Sequence, residues 1–192
     1  MAVLQGRDGV SGYVERQGYW EWRSPEEMLT VRGGAKVTLP SERGERTFLD
    51  VGANLGWYSF LYAQAGWNVV AVEPMTRNRQ AIRATLCLNP WLGDRFRLVS
   101  AALSTPGDVG PCVITAVQRN AGNGKLTCGP AAQSMNCTEL LNARGRCKNG
   151  ELRKHCKGGS YEFARCEHVP LRTIDSVLGD GDGVHAHVLK ME

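Results

Sequence analysis

The stretch Phe48-Leu49-Asp50-Val51, followed by Gly52-Ala53-Asn54-Leu55-Gly56 and then by Trp57-Tyr58-Ser59-Phe60, most narrows what this chain can fold into. A short apolar run, two glycines close behind it and a longer apolar run predict a buried strand, a tight turn and a helix. In α/β proteins such a unit presents backbone N–H groups at a helix start, where nucleotide-like groups bind. A second apolar run, Val69-Val70-Ala71-Val72, ends in Glu73-Pro74. An acid at the tip of the next strand, about 20 residues further on, is placed to hold ribose hydroxyls.

The chain has 192 residues, of which 42% are hydrophobic, so one domain with a sizeable core and an inserted segment is expected. Its net charge of +4 is spread over scattered Lys and Arg residues rather than one basic block. That distribution gives no support to nucleic-acid binding. No run of 18 apolar residues occurs, and Met1 to Gln5 leads into Gly-Arg-Asp-Gly rather than an apolar segment. Neither a membrane span nor a signal peptide is read in the chain as given.

Five of the seven cysteines, Cys128, Cys137, Cys147, Cys156 and Cys166, recur at nearly regular intervals. The intervals do not fit the paired cysteines of a structural zinc site, although Cys156 beside His155 and Cys166 near His168 could supply ligands. Disulfides suit a segment too poor in apolar residues to build a core, and free thiols are the other reading. The pattern Asn136-Cys137-Thr138 is a glycosylation acceptor. With the cysteine-rich segment it leans weakly toward a secretory compartment; the localisation is otherwise unassigned.

Residues 1–46 read as an N-terminal extension with a short helix. Ser24-Pro25-Glu26-Glu27 supplies the cap, the first-turn proline and the acids of a helix start. Residues 32–46 read as a connecting loop. A strand over about 47–51 follows, then a helix over Trp57 to Ala65 that Gly66 ends in a left-handed conformation. A second strand covers about 68–73. A helix capped by Thr76 runs to Leu88, with Ala81, Ile82, Ala84, Thr85 and Leu88 on its packing side and Cys87 as a small core residue. Phe96 to Leu103 reads as a third strand, completing a β-α-β-α-β succession with parallel pairing.

Between Cys112 and Cys128 two strand-like runs flank Asn120-Ala121-Gly122-Asn123-Gly124, which predicts a β-hairpin with those cysteines roughly opposite each other. The cysteine-rich segment extends to about Gly159, Tyr161 to Cys166 alternates like an exposed strand, and Leu171 to Leu178 reads as a short helix. Val184 to Glu192 returns as a fourth core strand. His185 and His187 share one of its faces without a third ligand nearby, so they read as a partly buried structural pair rather than a metal site. No metal is expected.

A dinucleotide fingerprint starting at Gly52 would need glycines at positions 54 and 57, where the chain has Asn54 and Trp57. The pattern used for S-adenosylmethionine is an acid followed by glycines at alternate positions. Asp50, Gly52 and Gly56 fit it, and Asn54, the residue best able to adopt a left-handed turn, replaces the middle glycine. Missing side chains let the backbone approach the methionine part, while Asp50 orients a neighbouring amide or attracts an ammonium group. No phosphate-binding P-loop, G-x-S-x-G elbow or H-E-x-x-H helix is present.

Four segments in order, Phe48-Leu-Asp-Val-Gly-Ala-Asn-Leu-Gly-Trp-Tyr-Ser, Val72-Glu73-Pro74-Met75, Val169-Pro-Leu-Arg-Thr-Ile-Asp175 and Leu189-Lys190-Met191, resemble the FkbM family of S-adenosylmethionine-dependent methyltransferases. The resemblance covers roughly residues 47–192. It implies an α/β, Rossmann-like class I methyltransferase fold with a doubly wound, mostly parallel sheet, interrupted at about 111–168 by the hairpin and cysteine-rich insert. It further implies methyl transfer to a hydroxyl of a sugar or natural product, so that the partner is a small-molecule or glycan acceptor. Asp50, Gly52, Asn54 and Gly56 would line the methionine end, Glu73 would bind ribose, and Ala101 and Ala102 would lie near adenine. Lys190 and Glu192 are the candidates at the reaction centre, with a solvent-reaching strand-end residue as the alternative for Lys190.

The family continues its Lys-hydrophobic pair with Asp-Val-Glu-Gly, where this chain has Glu192 and ends. A truncated form lacking three further strands, with the fourth strand as an apolar edge, is the corresponding expectation. A non-catalytic cofactor-binding module is therefore the alternative function, and an NAD-dependent oxidoreductase a third.

Overall fold

The computed structural model describes residues 1–4, 8–30, 46–107, 110–120, 122–142, 144–146, 160–179 and 185–191. Asp8 opens helix α1 (Gly9–Gln17) by accepting the Ser11 N–H at 2.7 Å, and Gly18 closes it in a left-handed conformation. The sequence reading has no such helix, because Gly9 and Gly12 depress its propensity and the cap residue supplies the start. Helix α2 (Pro25–Met28) begins as expected, with the Ser24 hydroxyl accepting the Glu27 N–H. The expected loop over 32–46 falls almost wholly outside the described residues.

The core then runs through β1 (Thr47–Val51), α3 (Trp57–Gln64), β2 (Asn68–Val72), α4 (Thr76–Leu88) and β3 (Phe96–Val99). Alternation along the strands sends their side chains to two faces. Phe48, Val69 and Ala71 pack with Phe60, Tyr62 and Ala63 of α3 and with Ile82 of α4. Leu49, Val70 and Val72 pack on the other face.

Several details of the sequence reading change. Thr76 is the first residue of α4 rather than its cap; the N–H groups at that end are met by carboxylates, Met75 by Glu73 and Thr76 by Glu167. The helix buries a narrow stripe, Asn78, Ala81, Ile82 and Thr85, and leaves Ala84, Cys87 and Leu88 exposed. The third strand stops at Val99, and β4 (Ala102–Leu103) belongs to a separate ribbon.

After β4 come β5 (Cys112–Val117), β6 (Lys125–Cys128), α5 (Pro130–Gln133), α6 (Cys137–Asn142), β7 (Arg144–Arg146) and β8 (Ser160–Val169). The chain then forms β9 (Leu171–Arg172), α7 (Ile174–Leu178) and β10 (Ala186–Met191). The short ribbon is β4 paired in parallel with β9.

The central sheet has the order β10-β1-β2-β3, with every pair parallel. Val177 of α7 covers the face opposite α3, so helices lie on both sides of an α/β sheet. The chain steps outward from β1 to β3 and returns beyond β1 to β10. The strand order therefore reverses between β1 and β10, and ligands of open α/β sheets bind outside the strand carboxyl ends at such a reversal.

β10 has one strand neighbour among the described residues, and its Leu189 and Met191 are exposed, at 49% and 65%. His185 and His187 are exposed rather than partly buried. His187 Nδ1 accepts the Thr47 N–H at 3.1 Å, where the β1–β10 register shifts.

A second, antiparallel sheet has the order β6-β5-β8-β7. The predicted hairpin is β5–β6, with Cys112 directly opposite Cys128 and bonded to it. β8 lies between β5 and β7, a central strand rather than the exposed one expected. Cys137 and Cys166 form a second disulfide that ties α6 to β8. These four cysteines are thus neither zinc ligands nor free thiols. His155, Cys147 and Cys156 lie outside the described residues. Exposed Asn136 accepts the N–H groups of Thr138 and Glu139, the start of α6.

Candidate functional site

The turn after β1 takes the left-handed conformation three times, at Gly52 (φ 74°), Asn54 (φ 54°) and Gly56 (φ 79°). Asn54 holds its place because its short polar side chain tolerates that region. Gly56 is held by contact as well: a Cβ there would lie 3.0 Å from Phe60 Cε2 and 3.1 Å from Ile82 Cγ1. The N–H groups of Gly52 and Ala53 both donate to the Val72 carbonyl, which fixes the turn against the end of β2.

Glu73 closes this arrangement. Its Oε2 accepts the Asn54 N–H at 2.7 Å, and its Oε1 accepts the Met75 N–H at 2.8 Å and the Asn78 amide at 3.4 Å. Burial pushes the Glu73 carboxyl up to about 7, against the opposing pull of the N–H bonds from Met75 and Asn54. Oε2 accepts one bond and keeps a second lone pair, so a ligand hydroxyl can still donate to it.

Glu73, Gly52, Ala101, Ala102, Met75 and Asn78 help line a cavity of about 570 Å³. Ala101 and Ala102 are both buried, so adenine's expected neighbours offer a flat apolar wall. The far wall is the hairpin turn, which the sequence reading did not connect with the site. Asn78 Nδ2 donates to the Gly122 carbonyl at 2.9 Å, and a Cβ on Gly124 would lie 2.5 Å from Ile114 Cγ1 and 2.9 Å from Met75 Sδ. Two glycines in the hairpin turn were a signal of close approach.

Asp50 is fully buried and faces α3. Its Oδ2 accepts the Ser59 hydroxyl at 2.7 Å, and its Oδ1 lies 3.2 Å from Lys190 Nζ. Lys190 also donates to the Gly52 carbonyl at 2.9 Å, which joins β10 to the turn across the strand-order reversal. The Lys190 side chain is 9% exposed, so it is not the solvent-reaching strand-end residue weighed above. The ammonium that Asp50 attracts in this structure is that of Lys190. Ser59 belongs to the site on this geometry. Glu192, the other reaction-centre candidate, lies outside the described residues.

A second cavity of about 420 Å³ shares Asn54 and Asn123 with the first. Trp20, Trp57, Tyr58, Asn120 and Lys190 also line it, so the N-terminal extension and the hairpin both contribute. The extension is fastened there by two bonds: Trp57 Nε1 donates to the Trp22 carbonyl at 2.8 Å, and the Tyr58 hydroxyl donates to Glu21. Between these anchors Glu21 adopts φ 49°, a left-handed conformation that costs a non-glycine residue about 1 kcal/mol or more.

Both cavities fall within the usual size range of small-molecule sites. Asn54 and Asn78, which line them, each have a buried amide oxygen without a hydrogen-bond partner. Buried acceptors of this kind call for donors, and ribose hydroxyls and an amino acid ammonium group are such donors. The residues present therefore fit a nucleoside that carries an amino acid group. Among the described residues no three His, Cys, Asp or Glu side chains gather as a metal site, and no helix is long and apolar enough to cross a membrane. No family model, curated protein or solved structure matches the chain.

Proposed function

We propose that this chain has the class I methyltransferase form of the Rossmann-like fold and is an S-adenosylmethionine-dependent methyltransferase acting on a hydroxyl of a sugar or natural product. The observation that carries the reading is the pairing of Glu73 with the Asn54 N–H beside the left-handed turn, in the wall of a cavity that Ala101 and Ala102 also line. When bound, S-adenosylmethionine supplies an electrophilic methyl group. The protein's own contribution is to hold and orient it. Glu73 accepts the ribose hydroxyls, the alanines flank adenine, and the turn from Gly52 to Gly56 admits the methionine end. The unpartnered Asn54 and Asn78 oxygens take the remaining donors.

The NAD reading is disfavoured because Asn54 and Trp57 stand at two positions of its glycine fingerprint. Calorimetric titration with S-adenosylmethionine, and with NAD as a control, tests the choice. Micromolar binding of the first that is lost in Glu73→Ala supports the methyltransferase reading, and equal binding of NAD overturns it.

One observation favours a cofactor-binding module without transfer. The Lys190 ammonium is occupied by the Asp50 carboxylate and the Gly52 carbonyl, so it is not a ready proton acceptor. Tight binding without methyl transfer to any hydroxyl would select that alternative.

A further inference from the structure

The second cavity is bounded by the same turn as the first. Ala53, Asn54 and Leu55 line it, whereas Glu73, Ala101 and Ala102 line only the cavity described first. The two share Asn54 and Asn123, so a molecule in the second lies next to the methionine end of a cofactor held as proposed above.

The rest of the described lining combines aromatic rings with amides. The N-terminal extension brings Trp20 and α3 brings Trp57, both half-buried, while the hairpin turn brings Asn120 and Asn123. Trp57 Nε1 is spent on the Trp22 carbonyl, so what this indole offers the cavity is apolar ring surface. Trp20 meets Tyr13 edge to face, with ring centroids 5.4 Å apart, and both tryptophans pack against the core on the α3 side of the sheet. Glu21, between Trp20 and Trp22, takes its left-handed conformation where one tryptophan lines the cavity and the carbonyl of the other holds Trp57. Strained residues of this kind concentrate at functional sites. The one charged side chain in the described lining, Lys190, is committed to Asp50 and Gly52.

We propose that this cavity is the acceptor subsite and that it takes an uncharged sugar ring, with Trp20 and Trp57 against its C–H groups and Asn120 and Asn123 on its hydroxyls. This rests on the methyltransferase reading and deepens it, because it selects a sugar over an apolar natural product and names the residues that choose.

A pyranose carries polarised C–H groups on its faces and hydroxyls around its rim. Aromatic rings attract the first through their negative faces, and amides, which both donate and accept, pair with the second. An apolar ring would cover the indoles equally well but would desolvate the amides without pairing them, which is costly. A sugar carboxylate would find no uncommitted cation in the described lining. The acceptor specificity thus resides in the N-terminal extension and the hairpin turn, outside the strands and helices that hold the cofactor.

The test compares wild type, Trp20→Leu and Asn120→Ala, since neither residue is in the described lining of the cofactor cavity. Three quantities are measured. The first is calorimetric affinity for S-adenosylmethionine. The second is binding to protein loaded with S-adenosylhomocysteine, followed by saturation-transfer NMR, of methyl glycosides of glucose, mannose and rhamnose, of methyl glucuronide, and of cyclohexanol as an apolar ring of the same size. The third is the KM and kcat of labelled methyl transfer to the glycosides.

Wild type should bind at least one methyl glycoside more tightly than the glucuronide or cyclohexanol. Its saturation transfer should be strongest at ring C–H protons. Trp20→Leu should weaken that binding about fivefold, and Asn120→Ala about as much, the loss of one hydrogen bond. KM should rise in step while kcat holds, the mark of binding made equally in the ground and transition states. Cofactor affinity should stay within about twofold in both variants, as expected of separate sites. Equal glycoside binding in wild type and both variants overturns the proposal, as does wild type that binds the cofactor but no glycoside. Preference for the glucuronide or cyclohexanol over every glycoside overturns it too, and in each of these cases the methyltransferase reading stands. Absence of cofactor binding in wild type overturns that reading and the acceptor role with it.

Discussion

Asn54 combines a special backbone conformation with an open side-chain acceptor in one turn. Its left-handed backbone aims its N–H at Glu73, and its side-chain oxygen is left for a donor. Asn54→Gly should keep the fold and weaken cofactor binding modestly. Asn54→Val should lose about 1–3 kcal/mol of stability by chemical denaturation, because a β-branched residue resists that conformation. Glu73 carries a pH signature. Its carboxyl is raised to about 7 in the folded chain from an ordinary 4.5, so it favours folding while protonated, and that contribution is lost as pH rises through about 7. The ionised carboxylate is the stronger acceptor for ribose hydroxyls, so cofactor affinity should rise over the same interval. Glu73→Gln should flatten both curves, measured by thermal melting and by calorimetry across pH. The left-handed preference of Asn54 and the strand-tip position of Glu73 were legible in the sequence, because both are local. The raised carboxyl was not, since it depends on burial beneath distant segments.

At the scale of elements, the hairpin is the part whose meaning changed most. Its turn glycines, its strands and its facing cysteines were readable from local pattern. Its place as a wall of the cavity beside Glu73 was not, because the Asn78–Gly122 contact joins residues far apart in the chain. α1 and the Trp20–Trp22 turn were missed for a related reason, since tertiary anchors rather than propensity hold them. Two consequences are measurable. Gly124→Ala should cost about 1–3 kcal/mol or displace the turn, and with it cofactor affinity, because its Cβ meets Ile114 and Met75. Reduction of the Cys112–Cys128 bond should lower stability by about 3 kcal/mol. Thiol labelling under denaturing conditions, read by mass spectrometry, should accordingly find Cys112, Cys128, Cys137 and Cys166 reactive only after reduction.

Across the whole molecule, four parallel strands with helices on both faces bring Asp50, Gly52 and Lys190 together where the strand order reverses. The Asp50–Lys190 pair is the tie between β1 and β10 with the most at stake. Lys190→Met leaves a buried carboxylate without its cation and should cost about 3–5 kcal/mol. Asp50→Asn in the same chain should restore most of that loss, which equilibrium unfolding of the single and double variants measures. The parallel order was legible from the strand-helix succession, whereas the Lys190 contact needed the return of the last strand to be placed. The central claim, that this reversal holds an S-adenosylmethionine site, is tested most directly by calorimetric titration of the cofactor into wild type and Glu73→Ala at pH 8. Micromolar binding to wild type, weakened at least tenfold in the variant, is the expected result. No binding to wild type, or equal binding to both, would contradict it.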